Sequence, residues 1–308
     1  MMKTLKYLLL VPMTVMGPLC LATAAQATPI LGADLASFTV LGASTVTNIA
    51  TSSIAGNVGV WSSGGANAIT GFNSSPGVGV SDPQVSGGSV FAGGALAESA
   101  QAGLTTARNQ LASLGGVGTT LAADLVGLTL APGVYTVAAG TTNLSGALTL
   151  DGGGNANAVW VFQMLDTLIT SPNSVVDVIN TGAGAGVFWN VASSATIDVN
   201  TSFLGNILAL SSITFNTSAT DLCGRALADT GAVTLDQNSL SGECQGTLAG
   251  GSLSGGLDVT STTEGLEVVN ILPFAPVNDA VNTIPEPATL ALLALGLAGV
   301  GFSRRRSS

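Results

Sequence analysis

Histidine is absent from this chain, and lysine occurs only at Lys3 and Lys6, in a sequence of 308 residues. Charged residues make up 8% of the whole and aromatic residues 5%. Each scarcity removes a class of function. Without histidine, and with almost no basic side chains, the usual general base, its cationic partners and the commonest metal ligand are all missing. Enzymes that cleave polysaccharides on repetitive β-folds need paired carboxylates. Asp177 and Asp198 could stand near each other on successive coils, but no cation accompanies them. The chain is therefore expected not to be an enzyme. The stretch Asp151-Gly152-Gly153-Gly154-Asn155 lacks the alternating oxygen ligands of a calcium loop and reads as a corner, so neither metal nor cofactor is expected. Beyond Cys20, the cysteines are the pair Cys223 and Cys244, on adjacent repeats. They could form a disulfide in an oxidising compartment or remain two inert thiols.

The two ends are not part of a folded body. Lys3 and Lys6, the apolar stretch Tyr7 to Leu21 and the step Ala25-Gln26-Ala27 make residues 1–27 a secretory signal with its cleavage site. At the other end Pro285-Glu286-Pro287 is followed by the apolar run Ala288 to Phe302 and by Arg304, Arg305 and Arg306. Fifteen apolar residues fall short of the roughly twenty of a permanent span. The arginines mark the cytoplasmic side, leaving the bulk of the chain outside. With both ends set aside, Arg108 and Arg225 face sixteen acidic residues, a net charge of −14. Such a body cannot neutralise a phosphate backbone, which excludes nucleic acid and anionic membrane surfaces as partners.

The tail at residues 284–308 resembles the PEP-CTERM sorting signal. That resemblance implies recognition by an exosortase-type sorting protease, cleavage near Pro285 to Pro287, and export to the cell surface or the extracellular matrix. Contact with the membrane is then expected only through the sorting segment, transiently, at residues 288–302.

Between the ends, 41 glycines coexist with an apolar content of 46%, enough to bury a core. From Val187 to Gly242 an apolar-x-Gly step recurs about every nineteen residues, at Phe203-Leu204-Gly205, Leu222-Cys223-Gly224 and Leu240-Ser241-Gly242. Looser copies stand at Ile54-Ala55-Gly56, Ile69-Thr70-Gly71 and Leu144-Ser145-Gly146. Short β-type segments at a fixed period are the signature of a solenoid. Three kinds of strand alternate within it. One set, including Val159 to Gln163 and Val187 to Val191, is apolar throughout and expects cover on both faces. A second comprises Leu148-Thr149-Leu150, Ala195-Thr196-Ile197, Ile213-Thr214-Phe215 and Val233-Thr234-Leu235. The third carries the glycine steps. Three sides per coil predict an all-β solenoid of triangular section. Residues 89–114 interrupt it with one helical apolar stripe, which predicts a helix from Ser89 to Leu114 packed along a flank. The body is read as residues 28–246, and the Gly/Ser/Thr-rich residues 247–283 as a spacer in which Gly265 to Leu272 could add a strand.

Alternation around the glycine steps turns Ile54, Leu144, Phe203, Leu222 and Leu240 inward. It turns Ser53, Asn143, Ser145, Ser202, Ser239 and Ser241 outward, with Thr51, Thr70, Thr142, Thr201, Thr217 and Thr220 at or beside the neighbouring strand positions.

The body resembles the DUF3494 ice-binding family over about Leu31 to Gly246. The segments that carry the likeness include GASTVTNIATSSIAGNVG at Gly42 to Gly59, LTLAPGVYTV at Leu128 to Val137, AVWVFQ at Ala158 to Gln163 and LGNILALSSITFNTSAT at Leu204 to Thr220. The sequence departs from the family pattern near Asp221 to Cys223, where one residue is extra, and at Leu204, where a small outward residue is replaced. The resemblance implies a discontinuous β-solenoid with a flanking α-helix and one sheet that adsorbs to ice. It also implies that the outward residues named above and the threonines beside them form the ice-binding face. The competing expectation is a structural or adhesive protein of an exopolysaccharide matrix, without ice activity.

Overall fold

The computed structural model describes residues 29–277 except 50, 63, 65–66, 116–117, 245–250 and 262–266. The expected secretory signal and sorting tail lie outside the described residues. The chain is mostly strand, with a short helix α1 at Gly32–Ala36 and a long helix α2 at Ala95–Ser113. The long helix begins later than the stripe suggests. Val90–Ala92 is a strand, and Gly93 and Gly94, both at positive φ, turn the chain before the helix starts.

The strands form three ladders that the chain visits in turn. A helix-side ladder runs through Val90–Ala92, Asn57–Val60, Phe38–Gly42, Thr220–Ala228, Ser202–Ala209, Gly186–Val191, Val159–Met164, Gly133–Val137 and Thr119–Leu121, all parallel. A second ladder runs through Leu168–Ile169, Ala195–Ile197, Ile213–Phe215, Val233–Leu235, Thr45–Asn48 and Ala68–Thr70. A third joins Thr129–Leu130, Ala147–Asn155, Val175–Thr181, the first residues of Ser202–Ala209 and Thr220–Ala228, then Ser239–Ser241, Ser53–Ala55 and Val85–Ser86. Leu148 to Leu150 belong to this third ladder, opposite Val176 to Val178, and not to the second as the sequence pattern suggested. An apolar-Thr-apolar triplet reads alike on either ladder. Only the neighbouring corners decide.

The stacking is not in chain order. Phe38–Gly42 pairs with Thr220–Ala228, Thr45–Asn48 with Val233–Leu235 and Ser53–Ala55 with Ser239–Ser241. The first coil therefore sits directly on the last. After Val90–Ala92 the chain must return to Thr119–Leu121, eight rungs away, which is about 38 Å at roughly 4.8 Å per rung. Helix α2, at about 28 Å for its length, covers most of that distance. Its buried stripe, Ala97, Ala100, Leu104, Ala107 and Leu111, packs in one apolar cluster with Leu41, Val161, Phe188, Leu208 and Leu227 of the helix-side ladder. Gln101 is buried as well, and its amide donates to the carbonyls of Ala228 (3.2 Å) and Asp229 (2.8 Å). Arg108 forms an ion pair with Asp229 at 2.8 Å.

Within the coils the core is continuous. Tyr135, Phe162, Trp189 and Phe203 stack along it, with Phe162 and Trp189 centroids 4.1 Å apart. The indole of Trp189 donates to the Leu204 carbonyl at 3.1 Å. Gly205 explains one glycine of the repeat. Its φ is +115°, and a Cβ there would meet Val187 at 2.7 Å and the Trp189 indole nitrogen at 2.9 Å.

Part of the stretch expected as a spacer carries regular structure among the described residues. Leu257–Ser261 and Glu267–Ile271 form an antiparallel pair, Leu253 and Leu257 are buried, and Val269 joins the helix α2 cluster. The buried Arg225 fixes the approach to this pair, donating to Ala36 O (2.9 Å), Asn206 Oδ1 (2.9 Å) and Ser254 Oγ (2.6 Å). Small residues between Ala36 and Thr39 and at Gly56, Gly87 and Gly242, together with Arg225, line a groove of about 390 Å³ beside it. Burial lowers the Arg225 pKa to about 10, still far above neutrality.

Candidate functional site

Two ladders present an outward surface of hydroxyls, and they differ in order. On the second ladder the middle residue of each triplet points out, flanked by buried apolar neighbours. Register aligns these residues in one row: Ile169, Thr196, Thr214, Thr234, Thr47 and Thr70. Five consecutive threonines thus stand one rung apart, about 4.8 Å, and the pairings run without a register shift. Thr45 and Ala68 belong to the adjacent outward row. Short branched side chains on a strand have few rotamers to lose, so the row is pre-organised.

On the third ladder the corresponding row is Ala147, Val175, Ser202, Thr220, Ser239 and Ser53. Of the hydroxyls expected at an ice face, Ser202 and Ser53 are exposed in this row and Thr220 and Ser239 are half-buried. Thr70 is exposed but lies on the second ladder. Thr51 and Ser145 are exposed and Thr142 is half-buried, all outside the row. The Ser145 hydroxyl donates to Asp124, and the half-buried Thr217 donates to Asp236.

Three expected outward residues point inward. Asn143 and Thr201 are fully buried and Ser241 is 1% exposed. Asn143 accepts the Ile169 N–H at 2.9 Å and donates to Ala123 O at 3.2 Å, and Thr201 donates to Ser171 O at 3.2 Å. These two side chains satisfy backbone groups that a corner leaves without a ladder partner. At Thr201 the two-residue alternation breaks because Asn200 takes positive φ, as Asn173, Ser218 and Gln237 do at the corners of the other coils. Ser241 donates to and accepts from Glu243 in the turn that follows.

Leu222 also departs from its inward expectation and is 39% exposed. Pairing Phe203 with Asp221 and Gly205 with Gly224 shows the extra residue as a bulge. Asp221 takes the core place that Phe203 and Leu240 hold on the adjoining rungs, and Leu222 is pushed out. The Asp221 side chain is fully buried, with Oδ1 accepting the Cys223 N–H at 3.4 Å and Oδ2 without a hydrogen-bond partner. Burial raises its pKa well above the ordinary carboxylate value, against weaker opposition from backbone N–H groups and from Arg225. Cys223 and Cys244 are joined by a disulfide that ties the bulge to the end of the last coil.

Asp177 sits on the third ladder opposite Thr149, whereas Asp198 lies beside the second ladder and accepts Asn216 Nδ2 at 2.8 Å. The two are not brought together as a catalytic pair. Asp151 accepts the Gly153 N–H and the Asn180 amide, both at 2.9 Å, and these bonds hold its carboxyl below the usual range.

The arrangement defines a class: a stack of parallel strands presenting long, repetitive, largely uncharged faces, suited to an extended surface and not to a small molecule in a cleft. Residues 40–241 match the Ice-binding-like family, and the chain belongs to it. Residues 283–306 match the PEP-CTERM protein-sorting motif. The chain is 45% identical over 207 residues to the ice-binding protein of Nostoc sp. (strain HG1), covering 67% of this chain and 72% of that one. It is 37% identical over 118 residues to ice-binding protein 1 of Shewanella frigidimarina (strain NCIMB 400), 38% of this chain but only 13% of that much longer protein. Among solved structures, an ice binding protein from an Antarctic biological consortium superposes with a TM-score of 0.58 at 32% identity, covering 76% of this chain and 96% of the other. The DUF3494 domain of the Shewanella frigidimarina protein superposes with a TM-score of 0.59 at 27% identity, covering 70% and 97%.

Proposed function

We propose that the exported body binds ice, and that it does so through the outward threonine row of the second ladder. The observation that carries this reading is the unbroken register of Thr196, Thr214, Thr234, Thr47 and Thr70. Ice is a crystal of the solvent, so a surface that binds it must order water without holding hydration shells of its own. Charged or long side chains fail on both counts, because they retain water and lose rotamer freedom on adsorption. A threonine offers one methyl and one hydroxyl on a stiff stem. Repeating it at a fixed rung spacing makes each contact weak and the sum persistent. The third ladder is the less suitable face. Its row mixes Ala147, Val175 and hydroxyls, and the bulge at Asp221 exposes Leu222 within it.

In this reading the three ladders are the sides of a triangular solenoid, and helix α2 covers one of them. The folded unit extends to about residue 277, since the antiparallel pair after Cys244 packs onto it. Residues 1–27 act as the export signal, and residues 284–308, with Pro285, Glu286 and Pro287 at their start, as the substrate of an exosortase-type protease. No helix among the described residues is long and apolar enough to cross a membrane, and the run 288–302 lies outside them. The body then reaches the cell surface or the extracellular matrix, where it inhibits ice growth or recrystallisation, or holds cells to ice.

Partition into a slowly growing ice front tests the class of function. The purified body is expected to be enriched in the ice fraction. Exclusion from ice, with the body folded, would instead support a matrix protein without ice activity.

A further inference from the structure

The second ladder is one surface but not one continuous piece of chain. Its strands from Leu168–Ile169 to Val233–Leu235 follow each other by single coils, whereas Thr45–Asn48 and Ala68–Thr70 come from the start of the body. The seam falls inside the threonine row, between Thr234 and Thr47. Between successive coils the short connection limits how far one rung can move against the next. Across the seam the partners are separated by nearly the whole body, so contacts must set the register. A slip of one residue there would turn Thr47 inward and Val46 outward. A slip of two would keep the alternation but displace Thr47 and Thr70 from the rest of the row by about 6.6 Å along the strands.

A buried set of side chains stands at this seam. Asn238, 1% exposed, donates its amide to Asn216 O and Ala219 O of the preceding coil, each at 2.9 Å. Its backbone N–H donates to Ser52 Oγ of the first coil at 3.0 Å. Ser52 in turn donates to Asn48 Oδ1 at 2.8 Å, and Asn48, the residue after Thr47, donates to Gln84 at 2.8 Å. Apolar packing tolerates a slipped neighbour of similar size, but directional hydrogen bonds between buried groups are satisfied in one register alone.

We infer that Ser52 is a positioning residue of the ice face: its buried hydroxyl, held by Asn48, accepts the Asn238 backbone N–H and fixes the first coil against the last, so that Thr47 and Thr70 continue the lattice of Thr196, Thr214 and Thr234. This rests on the reading that the second ladder adsorbs to ice. Ser174 provides the contrast. It is equally buried, donating to Leu144 O (2.8 Å) and Ser171 O (2.7 Å), but it lies where the coils are continuous.

The test compares Ser52→Ala and Ser174→Ala in the purified body. The readouts are melting temperature, thermal hysteresis, and the planes that fluorescently labelled protein covers on a single-crystal ice hemisphere. Both are expected to lower the melting temperature. Only Ser52→Ala is expected to reduce hysteresis, by about threefold or more as Thr47 and Thr70 fall out of step with the other three threonines, and to change the planes covered. Unchanged hysteresis and planes in Ser52→Ala would overturn the inference, as would an equal change in Ser174→Ala. If Ser52→Ala does not fold, Asn48→Ala, which removes the acceptor that holds the Ser52 hydroxyl, decides the matter by the same readouts. Thr214→Tyr, measured alongside, separates the two failures: if it leaves hysteresis intact, the choice of face is wrong, whatever the seam does.

Discussion

The second and third ladders are built by the same coils around the same core, yet they present different surfaces. Every strand of the second ladder from Ala195 to Leu235 is an apolar-Thr-apolar triplet, and the pairings carry no register shift. The third ladder meets the helix-side ladder at the glycine steps, and its strands bend through Gly205 and Gly224 within single hydrogen-bonded elements. That bend admits a bulge, and the bulge admits Asp221 to the core and Leu222 to the surface. A shared scaffold therefore does not make equivalent faces. The face whose strands carry no bulge keeps its lattice.

Charge placed on the two ladders should separate them most widely. Thr214→Lys with Thr234→Lys is expected to cut thermal hysteresis by about tenfold or more, since hydrated ammonium groups break a multivalent contact at its centre. Thr149→Lys on the third ladder should leave hysteresis near the parent value, and circular dichroism should be the same for both. The disulfide acts on stability instead. Reducing Cys223–Cys244, whose partners are 21 residues apart, should cost about 3 kcal/mol. For a body of this size that lowers the melting temperature by roughly 6–12 °C. Hysteresis, measured near freezing and far below that transition, should survive.

Asp221 gives a smaller effect with a definite sign. Its folded-state pKa is raised above the unfolded value, so the folded body binds this proton more tightly than the unfolded chain does. The associated stability is present in acid, below the ordinary carboxylate range, and is lost as pH rises through the raised pKa. Asp221→Asn removes that dependence and should stabilise the body by about 1 kcal/mol or more at neutral pH. Urea midpoints of parent and variant should diverge as pH rises; parallel curves would show that the carboxyl is not the source. Leu222→Ser should change least, within about 0.5 kcal/mol in stability, because an exposed side chain contributes little to packing.

Much of this architecture is legible in the sequence because one short period carries it. The recurring apolar-x-Gly step marks a corner, the apolar runs near Trp160 and Trp189 mark the doubly covered ladder, and the apolar stripe within residues 89–114 marks the helix against it. Strand alternation was a poorer guide at corners. Asn143 and Thr201 look like outward hydrogen-bonding residues, yet both turn in to satisfy backbone groups, Thr201 directly after Asn200 at positive φ. The extra residue before Gly224 was visible as an insertion, but which residue it would expose was not, since leucine is the better core residue and aspartate holds the place. The threonine row escaped notice for a different reason. Thr196, Thr214 and Thr234 recur at the coil period, but Thr47 and Thr70 join them only through a pairing between the two ends of the body. A signal was present in the apolar-Thr steps Val46-Thr47 and Ile69-Thr70, which repeat that of Val233-Thr234.

The most direct test of the account places one bulky ring on each ladder in turn. Thr214→Tyr and Ser202→Tyr, compared with the parent body at equal concentration, should both retain the parent circular dichroism. Thr214→Tyr is expected to lose most of the thermal hysteresis and Ser202→Tyr to keep it. The opposite pattern, or full hysteresis in Thr214→Tyr, would contradict the assignment of ice adsorption to the second ladder.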